Sequence, residues 1–401
     1  MNFFKILVFE AYPFFSGSQR ITLNVCKILK AQGHQVTLLL ADDQYGSLQK
    51  NFEEHVFKIQ HIATYKGLQK YGDEDSWFTR KLFFKSVFFG LLPFYIKSLK
   101  IINFKDYDYL YCCDPRGATM MLASAFFFRK KTILHFHGKN RLPNWLSKTF
   151  LTVFSKVICV SQDVSDSLPS SIRKNVIYNG IDFSQYGELD FSAVRLEAEE
   201  LSGITTAQMK VFLYAGLLRP HKGVHHLIYA FERLLKSNPL STTPVLFLCG
   251  SAKTEPEEKF RDFLINYCKE KGLQKNIFWL GWKNNVLSWM RYSDFFVFST
   301  IDQETNCFEG FGKEIVSSEG LPTVLIESSL CGLFNIAANA TGVKEIISND
   351  QNGICYSNQE TDGLYQSLLF ALENQMNYKS FPNSQNFSLK TFDNKITSLF
   401  I

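Results

Sequence analysis

The sequence predicts an α/β protein made of two Rossmann-like domains that follow each other along 401 residues. Short apolar segments that suit buried strands alternate with segments of helical spacing, which is the pattern of doubly wound parallel sheets. This alternation is interrupted by a polar, acidic stretch at Gly187–Glu200, where we place the linker, and it starts again at Val211. Two such halves imply a crevice between them. We expect domains at 1–185 and at 186–385.

The first half opens with a β-α-β unit. Lys5–Phe9 and Val36–Leu40 are buried-type strands, and Ile21–Gln32 has helical spacing between them. The connecting loop offers only Gly17, so the G-x-G-x-x-G fingerprint of dinucleotide-binding domains is absent and a nicotinamide cofactor is not favoured. Further strands are predicted at Tyr109–Cys113, at Thr132–His137, at Val157–Val160 and from Val176.

The second half repeats this order. Val211–Ala215 is a predicted strand, Gly216–Gly223 (G-L-L-R-P-H-K-G) is a loop, and Val224–Leu235 has helical spacing. The tail, Phe387–Ile401, also has helical spacing. Further strands are predicted at Val245–Leu248, Ile277–Leu280, Phe295–Phe298 and Asn335–Ala338.

Composition indicates a globular, cytoplasmic protein. The apolar fraction is 46% and the charged fraction 20%, and a net charge of +5 is too mild to indicate nucleic acid. Nine cysteines without C-x-x-C spacing suit reduced thiols better than disulfides or a zinc site. The N-terminus lacks the features of a signal peptide. The best membrane-span candidate, Ser86–Ile96, has eleven residues, whereas a spanning helix needs about 20.

One segment mixes aromatic and basic side chains. Phe78–Lys105 carries six basic residues and no acidic one. Such a composition is typical of interfacial segments that dock on anionic lipid headgroups, so a peripheral position on the plasma membrane is one interpretation. A pair of core helices with solvated lysines is equally compatible, with Pro93 breaking or kinking the segment.

The segment Glu319–Gly332 (E-G-L-P-T-V-L-I-E-S-S-L-C-G) carries two carboxylates, Glu319 and Glu327, with seven residues between them. Pro322 marks a helix start and Gly332 a helix end. A helix start favours an anion, and carboxylates accept hydrogen bonds from hydroxyl groups, so the segment suits a sugar nucleotide. The alternative is a surface helix with two solvated glutamates.

Two further polar features are candidates for a site. His137 follows a strand in H-F-H-G, at the kind of strand end where α/β proteins bind ligands, although a lone histidine is more often structural. Asp106-Tyr107-Asp108 resembles a D-x-D metal motif, but it directly precedes a strand, so loop residues are the better interpretation. We therefore expect no metal site.

Several motifs together resemble the retaining nucleotide-sugar glycosyltransferases of the GT-B fold, family 4. The motifs are S-G-S-Q-R, H-F-H-G, V-I-C-V-S, V-I-Y-N-G-I-D, Y-A-G-L-L-R-P-H-K-G-V, F-L-G-W (here F-W-L-G-W at Phe278–Trp282) and the Glu319–Gly332 segment. Their order extends over nearly the whole chain. The resemblance implies a central crevice between the two domains and a final helix, 386–401, that crosses back to the N-terminal, acceptor-binding domain.

The resemblance also implies roles for single residues. Glu327 matches the ribose-binding glutamate, and Glu319 matches the one that faces the donor sugar. Lys222 matches the lysine that neutralises the leaving diphosphate, and His137 matches a histidine that contacts the donor sugar. Backbone N–H groups would approach the phosphates from Gly17, Gly320, Leu321, Thr323 and Val324.

The nucleotide base would lie at Trp282 to Val286. One departure concerns the diphosphate, because Leu217 stands where the family usually has arginine, and Arg219 is the nearest cation. For binding a phosphate, an arginine at position 219 is not equivalent to one at position 217. The stretch Thr300–Ser318 is also longer than the family loop.

The implied function is transfer of a sugar from a UDP- or GDP-sugar to a hydroxyl group, without metal or cofactor. The acceptor would be a saccharide or lipid-linked saccharide of bacterial surface polysaccharide synthesis. Two alternatives stay open: a non-catalytic subunit or activator of another transferase, which Leu217 favours, and a nucleotide-sugar epimerase of the same fold.

Overall fold

A seven-stranded and a six-stranded parallel sheet form the framework of the computed structural model. The structure describes residues 3–12, 15, 17–41, 47–64, 87–128, 131–140, 142–186, 189–237, 242–301, 303–305, 314–316, 319–357 and 362–400. The chain divides into two compact units. Unit 1 is Met1–Gly180 with Asn386–Ile401, and unit 2 is Ile181–Gln385, so the division lies at 180/181 rather than at 185/186.

Unit 1 is built on seven parallel strands in the order β3-β2-β1-β4-β5-β6-β7. The central strands β1, β4 and β5 are buried apart from the first residues of β1 and β5, Lys5 and Lys131, as expected for a sheet covered on both faces. The strands are β1 Lys5–Glu10, β2 Gln35–Ala41, β3 Lys58–Ile62, β4 Tyr109–Cys112, β5 Lys131–Phe136, β6 Lys156–Cys159 and β7 Lys174–Val176. The helices are α1 Gly17–Ala31, α2 Ser47–Phe52, α3 Leu92–Ile101, α4 Pro115–Phe128, α5 Asn144–Leu151 and α6 Gln162–Asp166, with a π-helical turn at Val87–Leu91.

Unit 2 contains a six-stranded parallel sheet in the order β10-β9-β8-β11-β14-β15 and a separate two-stranded ribbon. The strands are β8 Met209–Ala215, β9 Thr243–Cys249, β10 Ile277–Gly281, β11 Phe295–Phe298, β12 Gln303–Thr305, β13 Glu314–Val316, β14 Phe334–Ala338 and β15 Gly353–Tyr356. The helices are α7 Ser192–Ser202, α8 Val224–Ser237, α9 Glu255–Glu270, α10 Val286–Tyr292, α11 Thr323–Leu330 and α12 Gly363–Glu373.

The predicted linker at Gly187–Glu200 is wrong as a description of this stretch, because most of it lies in helix α7 of unit 2. Val194 and Ala198 lie one turn apart and are buried, which gives the helix an apolar side despite its acidic sequence. Gly203, in the left-handed region, ends it. The long stretch Thr300–Ser318 contains the ribbon of β12 and β13, and most of its remaining residues lie outside the described ones.

The C-terminal helix, α13 (Leu389–Thr397), belongs to unit 1, as predicted. Phe392 and Ile396 are fully buried in the same apolar core as β1 and α1. Gln32 at the end of α1 donates from Nε2 to Asp393 Oδ1 at 3.1 Å. The chain thus returns from unit 2 to complete the first core.

Residues 87–105 are the described part of the aromatic and basic segment, and they comprise the π-helical turn, helix α3 and the four residues after it; 78–86 lie outside the described residues. Phe94 and Ser98 are buried, whereas Leu92, Ile96 and Leu99 are between 49% and 54% exposed. No helix in the described ranges is long and apolar enough to cross a membrane.

Candidate functional site

The loop after β8 fixes the position of Lys222. A short 3-10 turn, Pro220–Lys222, ends at Gly223, whose φ is 66°. A Cβ at Gly223 would lie 1.9 Å from the backbone oxygen of Ser299, so only glycine fits this close approach. Ser299 in turn donates from Oγ to the carbonyl oxygen of Lys222 at 2.8 Å. Ser299, the residue that follows strand β11, therefore holds the backbone of Lys222 in place.

The loop before α11 approaches another glycine. A Cβ at Gly342, whose φ is 76°, would lie 2.4 Å from the carbonyl oxygen of Gly320. Gly320, Leu321 and Pro322 are buried, and Pro322 is the N-cap of α11. The N–H groups of Thr323 and Val324 are in the first turn of this helix, where N–H groups lack intrahelical partners. The predicted helix start is confirmed, and it lies in a tightly packed loop.

Lys222 and Glu319 meet as an ion pair between Nζ and Oε1. The two side chains are 22% and 19% exposed, so the pair is shielded but reachable. Burial is the largest single influence on the pKa of Glu319 and raises it, but attraction to Lys222, the hydrogen bond from Lys222 and the charge of His221 together bring the pKa below its ordinary value. The carboxylate is thus ionised at neutral pH and holds the ammonium group close to the start of α11.

Two neighbours of this pair were not singled out from the sequence. Tyr214 on β8 donates from its hydroxyl to the carbonyl oxygen of Leu217 at 2.9 Å. Burial raises the pKa of Tyr214, and the charge of Glu319 raises it further. The charge of His221 helps to lower the pKa of Glu319. Both residues lie in the quoted motif Y-A-G-L-L-R-P-H-K-G-V, but the motif gave no role for either of them.

Glu327 lies in α11 and is half-buried. A buried polar network holds the next turn: Asn335 on β14 and Asn352 each donate from Nδ2 to Ser329 Oγ at 3.0 Å. Ser328 bonds the Oδ1 atom of Asn335. Such satisfied networks fix a helix on a sheet. The orientation of Glu327 therefore depends on serines and asparagines that are themselves buried.

Arg219 forms an ion pair away from Lys222. Its Nε lies 2.6 Å from Oε1 of Glu257, in the first turn of α9. The second oxygen of Glu257 accepts the backbone N–H of Lys253 at 2.6 Å. The Nε side of the guanidinium group is therefore held by a carboxylate of α9. The half-buried Leu217 stands where the family arginine was expected.

The predicted base-binding residues follow β10. Trp282 is 66% exposed and donates from Nε1 to Asn284 Oδ1 at 3.0 Å. The ammonium group of Lys253 lies 5.9 Å from the centre of its ring. Val286 is the first residue of α10 and is half-buried. An exposed indole held at its polar end offers a flat surface on which a base can stack.

In unit 1, His137 directly follows β5. Its ring lies 4.2 Å, centre to centre, from the ring of His135, and the hydroxyl of Tyr111 lies 2.7 Å from Nδ1 of His135. Nε2 of His137 is buried and has no hydrogen-bond partner within the described residues. Burial lowers the pKa of His137 to about 4. The imidazole is therefore neutral at physiological pH.

Gly17 is the first residue of α1.

The aspartates of the D-x-D sequence bond nearby protein groups. Asp108 accepts from the backbone N–H of Lys5 at 2.8 Å, and Asp106 accepts from the side chain of Asn103 at 3.0 Å. These contacts tie the start of β4 to its neighbours.

Two family models match the chain in consecutive blocks. Residues 15–185 match Glycosyltransferase Family 4, and residues 202–386 match Glycosyl transferases group 1. Together with the two parallel sheets and the returning C-terminal helix, these matches place the function in one class. The chain belongs to the family 4 glycosyltransferases of the GT-B fold.

Named relatives agree with that class. The chain is 23% identical over 424 residues to the UDP-Gal:alpha-D-GlcNAc-diphosphoundecaprenol alpha-1,3-galactosyltransferase of Escherichia coli, with 99% of this chain and 96% of the relative covered. It is 25% identical over 234 residues to the N-acetylgalactosamine-N,N'-diacetylbacillosaminyl-diphospho-undecaprenol 4-alpha-N-acetylgalactosaminyltransferase of Campylobacter jejuni. That alignment covers 58% of this chain and about half, 53%, of the relative.

Among solved structures, HepE of Anabaena in complex with UDP has the same fold. The TM-score is 0.73 at 19% identity, and the match covers 99% of each chain.

Proposed function

We propose that this protein transfers a sugar from a nucleoside-diphosphate sugar, UDP- or GDP-linked, to a hydroxyl group of a lipid-linked saccharide, with retention at the anomeric carbon. The Lys222–Glu319 ion pair beside the start of α11 is the observation that carries this proposal. A fixed cation and unpaired helix N–H groups form a site for a diphosphate whose negative charge grows in the transition state.

In the proposed reaction, the bond between the anomeric carbon and the diphosphate oxygen breaks while the acceptor oxygen bonds to the same carbon. The hydroxyl proton passes to the leaving diphosphate, which keeps the reaction on one face of the sugar. Lys222 stabilises the charge on the diphosphate more in the transition state than in the ground state. No carboxylate nucleophile is assigned. Because the stabilising charge comes from a lysine and from backbone dipoles, we include metal independence in the proposal.

The other residues have binding roles in this proposal. Glu327 accepts hydrogen bonds from the ribose hydroxyls, Glu319 faces the donor sugar, and Trp282 to Val286 hold the base. His137 contacts the donor sugar as a neutral imidazole, in agreement with its lowered pKa. Arg219, whose Nε pairs with Glu257, is the second cation assigned to the diphosphate.

The acceptor class rests on the relatives. The two bacterial relatives described above are named as transferases that act on sugars linked to diphosphoundecaprenol. A saccharide on a lipid carrier is therefore our proposed acceptor, and bacterial cell-surface polysaccharide synthesis is the proposed pathway. A lipid-linked acceptor requires the enzyme to work at a membrane surface.

Helix α3 supports such a position. Leu92, Ile96 and Leu99 recur at helical spacing on one side and are half exposed, and Lys97 and Lys100 are exposed beside them. Exposed apolar and basic side chains on one helix fit an anionic bilayer surface. Binding to vesicles with phosphatidylglycerol, compared with phosphatidylcholine alone, tests this assignment. Replacing Ile96 and Leu99 by serine should abolish sedimentation with the anionic vesicles; unchanged sedimentation would refute the role of α3.

The activity is tested in two stages. A thermal-shift screen of UDP- and GDP-sugars identifies the donor, because a ligand at 100 times its Kd stabilises the folded state by about 2.7 kcal/mol. Transfer from that donor to a synthetic lipid diphosphate sugar is then measured with EDTA present, and the anomeric configuration of the product is read by NMR. We expect transfer with retention. Inversion would refute the proposed mechanism, and conversion of the donor sugar without acceptor would indicate an epimerase.

A further inference from the structure

A buried glutamate in unit 1 has no role in the site described so far. Glu10 is the last residue of β1, and its side chain is 0% exposed. Strand β1 lies between β2 and β4 in the sheet, and the strand order reverses between β1 and β4. Ligands of doubly wound proteins bind outside the carboxyl ends of the strands at this switch point. Glu10 is thus buried directly beneath the edge where unit 1 would receive a ligand.

The carboxyl group of Glu10 joins both sides of the turn between β1 and α1. Oε1 accepts the backbone N–H of Tyr12 at 3.2 Å and the side-chain amide of Gln19 at 3.0 Å. Oε2 lies 3.2 Å from the hydroxyl of Thr22. Gln19 and Thr22 are only 1% and 2% exposed. One side chain therefore ties the end of the strand to the first two turns of the helix that Gly17 begins.

Burying this carboxyl group is costly, since none of the three donors carries a charge. Burial, with the charge of Asp114 as a second cause, raises the pKa of Glu10 to about 7. The protonated group can keep the same arrangement, because a proton on Oε2 can point to the Thr22 hydroxyl, which then donates to the Ser18 carbonyl oxygen at 3.3 Å. The hydrogen bonds, rather than the charge, hold the turn.

We propose that Glu10 is a positioning residue that fixes Tyr12 and the first turns of α1, and with them Gly17, for contact with the donor phosphates. The inference rests on the proposed function, together with the contact to the donor phosphates that the family resemblance implies for Gly17. Glu10 itself is too deeply buried to touch the donor. It acts through the hydrogen bonds to Tyr12, Gln19 and Thr22.

Two substitutions separate the hydrogen bonds from the volume of the side chain. Glu10→Gln keeps an oxygen for Tyr12 and Gln19 and offers an N–H to Thr22, whereas Glu10→Met keeps the volume but removes all three contacts. The matched control is Glu232→Met, which removes another buried glutamate, bonded by Tyr267 and Lys236 in unit 2. The readouts are donor KM, kcat and hydrogen exchange of peptides covering residues 11–26.

We expect Glu10→Met to raise donor KM at least tenfold and to speed exchange in this peptide, while Glu10→Gln and Glu232→Met stay within threefold of the unsubstituted protein. Unchanged exchange in Glu10→Met would overturn the inference, and so would faster exchange with an unchanged KM. A loss in Glu10→Gln as large as in Glu10→Met would also overturn it. If no nucleotide sugar is turned over but exchange responds as expected, the proposed function fails and the positioning of the turn stands.

Discussion

Glu319 in unit 2 and Glu10 in unit 1 are both shielded acids, yet their surroundings shift their pKa values in opposite directions. Glu319 faces the ammonium group of Lys222, and its pKa is lowered. Glu10 faces neutral donors, and its pKa is raised to about 7. The neutral hydrogen bonds of Glu10 do not offset burial and the charge of Asp114, whereas at Glu319 the charge and hydrogen bond of Lys222, with the charge of His221, do offset burial. The comparison distinguishes an acid kept ionised for binding from an acid that supports a turn.

The largest effect is expected from Lys222→Ala. This change removes the cation at the proposed diphosphate site and leaves Glu319 without the charge that keeps it ionised, so Glu319 becomes more like Glu10. We expect kcat to fall by about 10²–10³-fold, the usual loss for one transition-state donor. The control is Lys259→Ala, which removes an exposed lysine of α9 that pairs with Glu255. A kcat within threefold of the control would refute the role of Lys222.

The next largest effect concerns stability and pH at Glu10. Between its ordinary value of 4.5 and about 7, the folded state keeps a proton that the unfolded state has released. The free energy of unfolding therefore falls as pH rises through this window, by about 3 kcal/mol in total. Glu10→Gln has no proton to release in this window. The difference between its free energy of unfolding and that of the unsubstituted protein should therefore increase by about 3 kcal/mol between pH 4.5 and pH 8. Urea unfolding at a series of pH values measures it.

The control for this pH series is Glu54→Gln, which changes an exposed glutamate of the same unit. Its stability should follow that of the unsubstituted protein at every pH. If the Glu10→Gln curve also ran parallel, Glu10 would have an ordinary pKa and the contrast with Glu319 would disappear.

A smaller effect is expected from Glu327→Gln. A neutral amide accepts more weakly from the ribose hydroxyls than a carboxylate, so donor KM should rise about tenfold with kcat little changed. Steady-state kinetics with Glu258→Gln, an exposed residue of α9, as the control measures this change. An unchanged KM would remove Glu327 from the donor site.

Arg219→Ala should have the smallest effect. Because Arg219 pairs with Glu257 and is 31% exposed, its removal costs about 1 kcal/mol of stability or less and changes kcat only a few-fold. If kcat fell as far as in Lys222→Ala, the guanidinium group would have to contact the diphosphate in the transition state. The same kinetic assay, run beside Lys222→Ala, distinguishes the two outcomes.

Most of the fold could be predicted because strands and helices differ in the spacing of their apolar residues along the sequence. Strand β11 has the predicted bounds, Phe295–Phe298, since four apolar residues stand between polar ones. Helix α1 begins at Gly17 rather than Ile21, because its first turns are held by polar contacts of Gln19 and Thr22 that no apolar spacing shows. Helix α7 was missed because only two of its positions, Val194 and Ala198, are buried.

The residues of the candidate site also divide into those that the sequence predicted and those that it did not. The helix start before Thr323 followed from proline and glycine positions, and the resemblance supplied the pairing partners Lys222 and Glu319. The pairing of Arg219 with Glu257 was not predictable, because the two residues are 38 positions apart and meet only after folding. The burial of Glu10 could not be predicted from the sequence either, because a polar residue at a strand end is usually exposed.

The most direct test of the contrast between the two acids is a carboxyl ¹³C NMR titration of protein labelled at glutamate. Glu10→Gln and Glu319→Gln assign the two signals by their loss. The account predicts that the Glu10 signal moves with a midpoint near pH 7 and that the Glu319 signal moves below 4.5. Two midpoints near 4.5, or the reverse order, would contradict it.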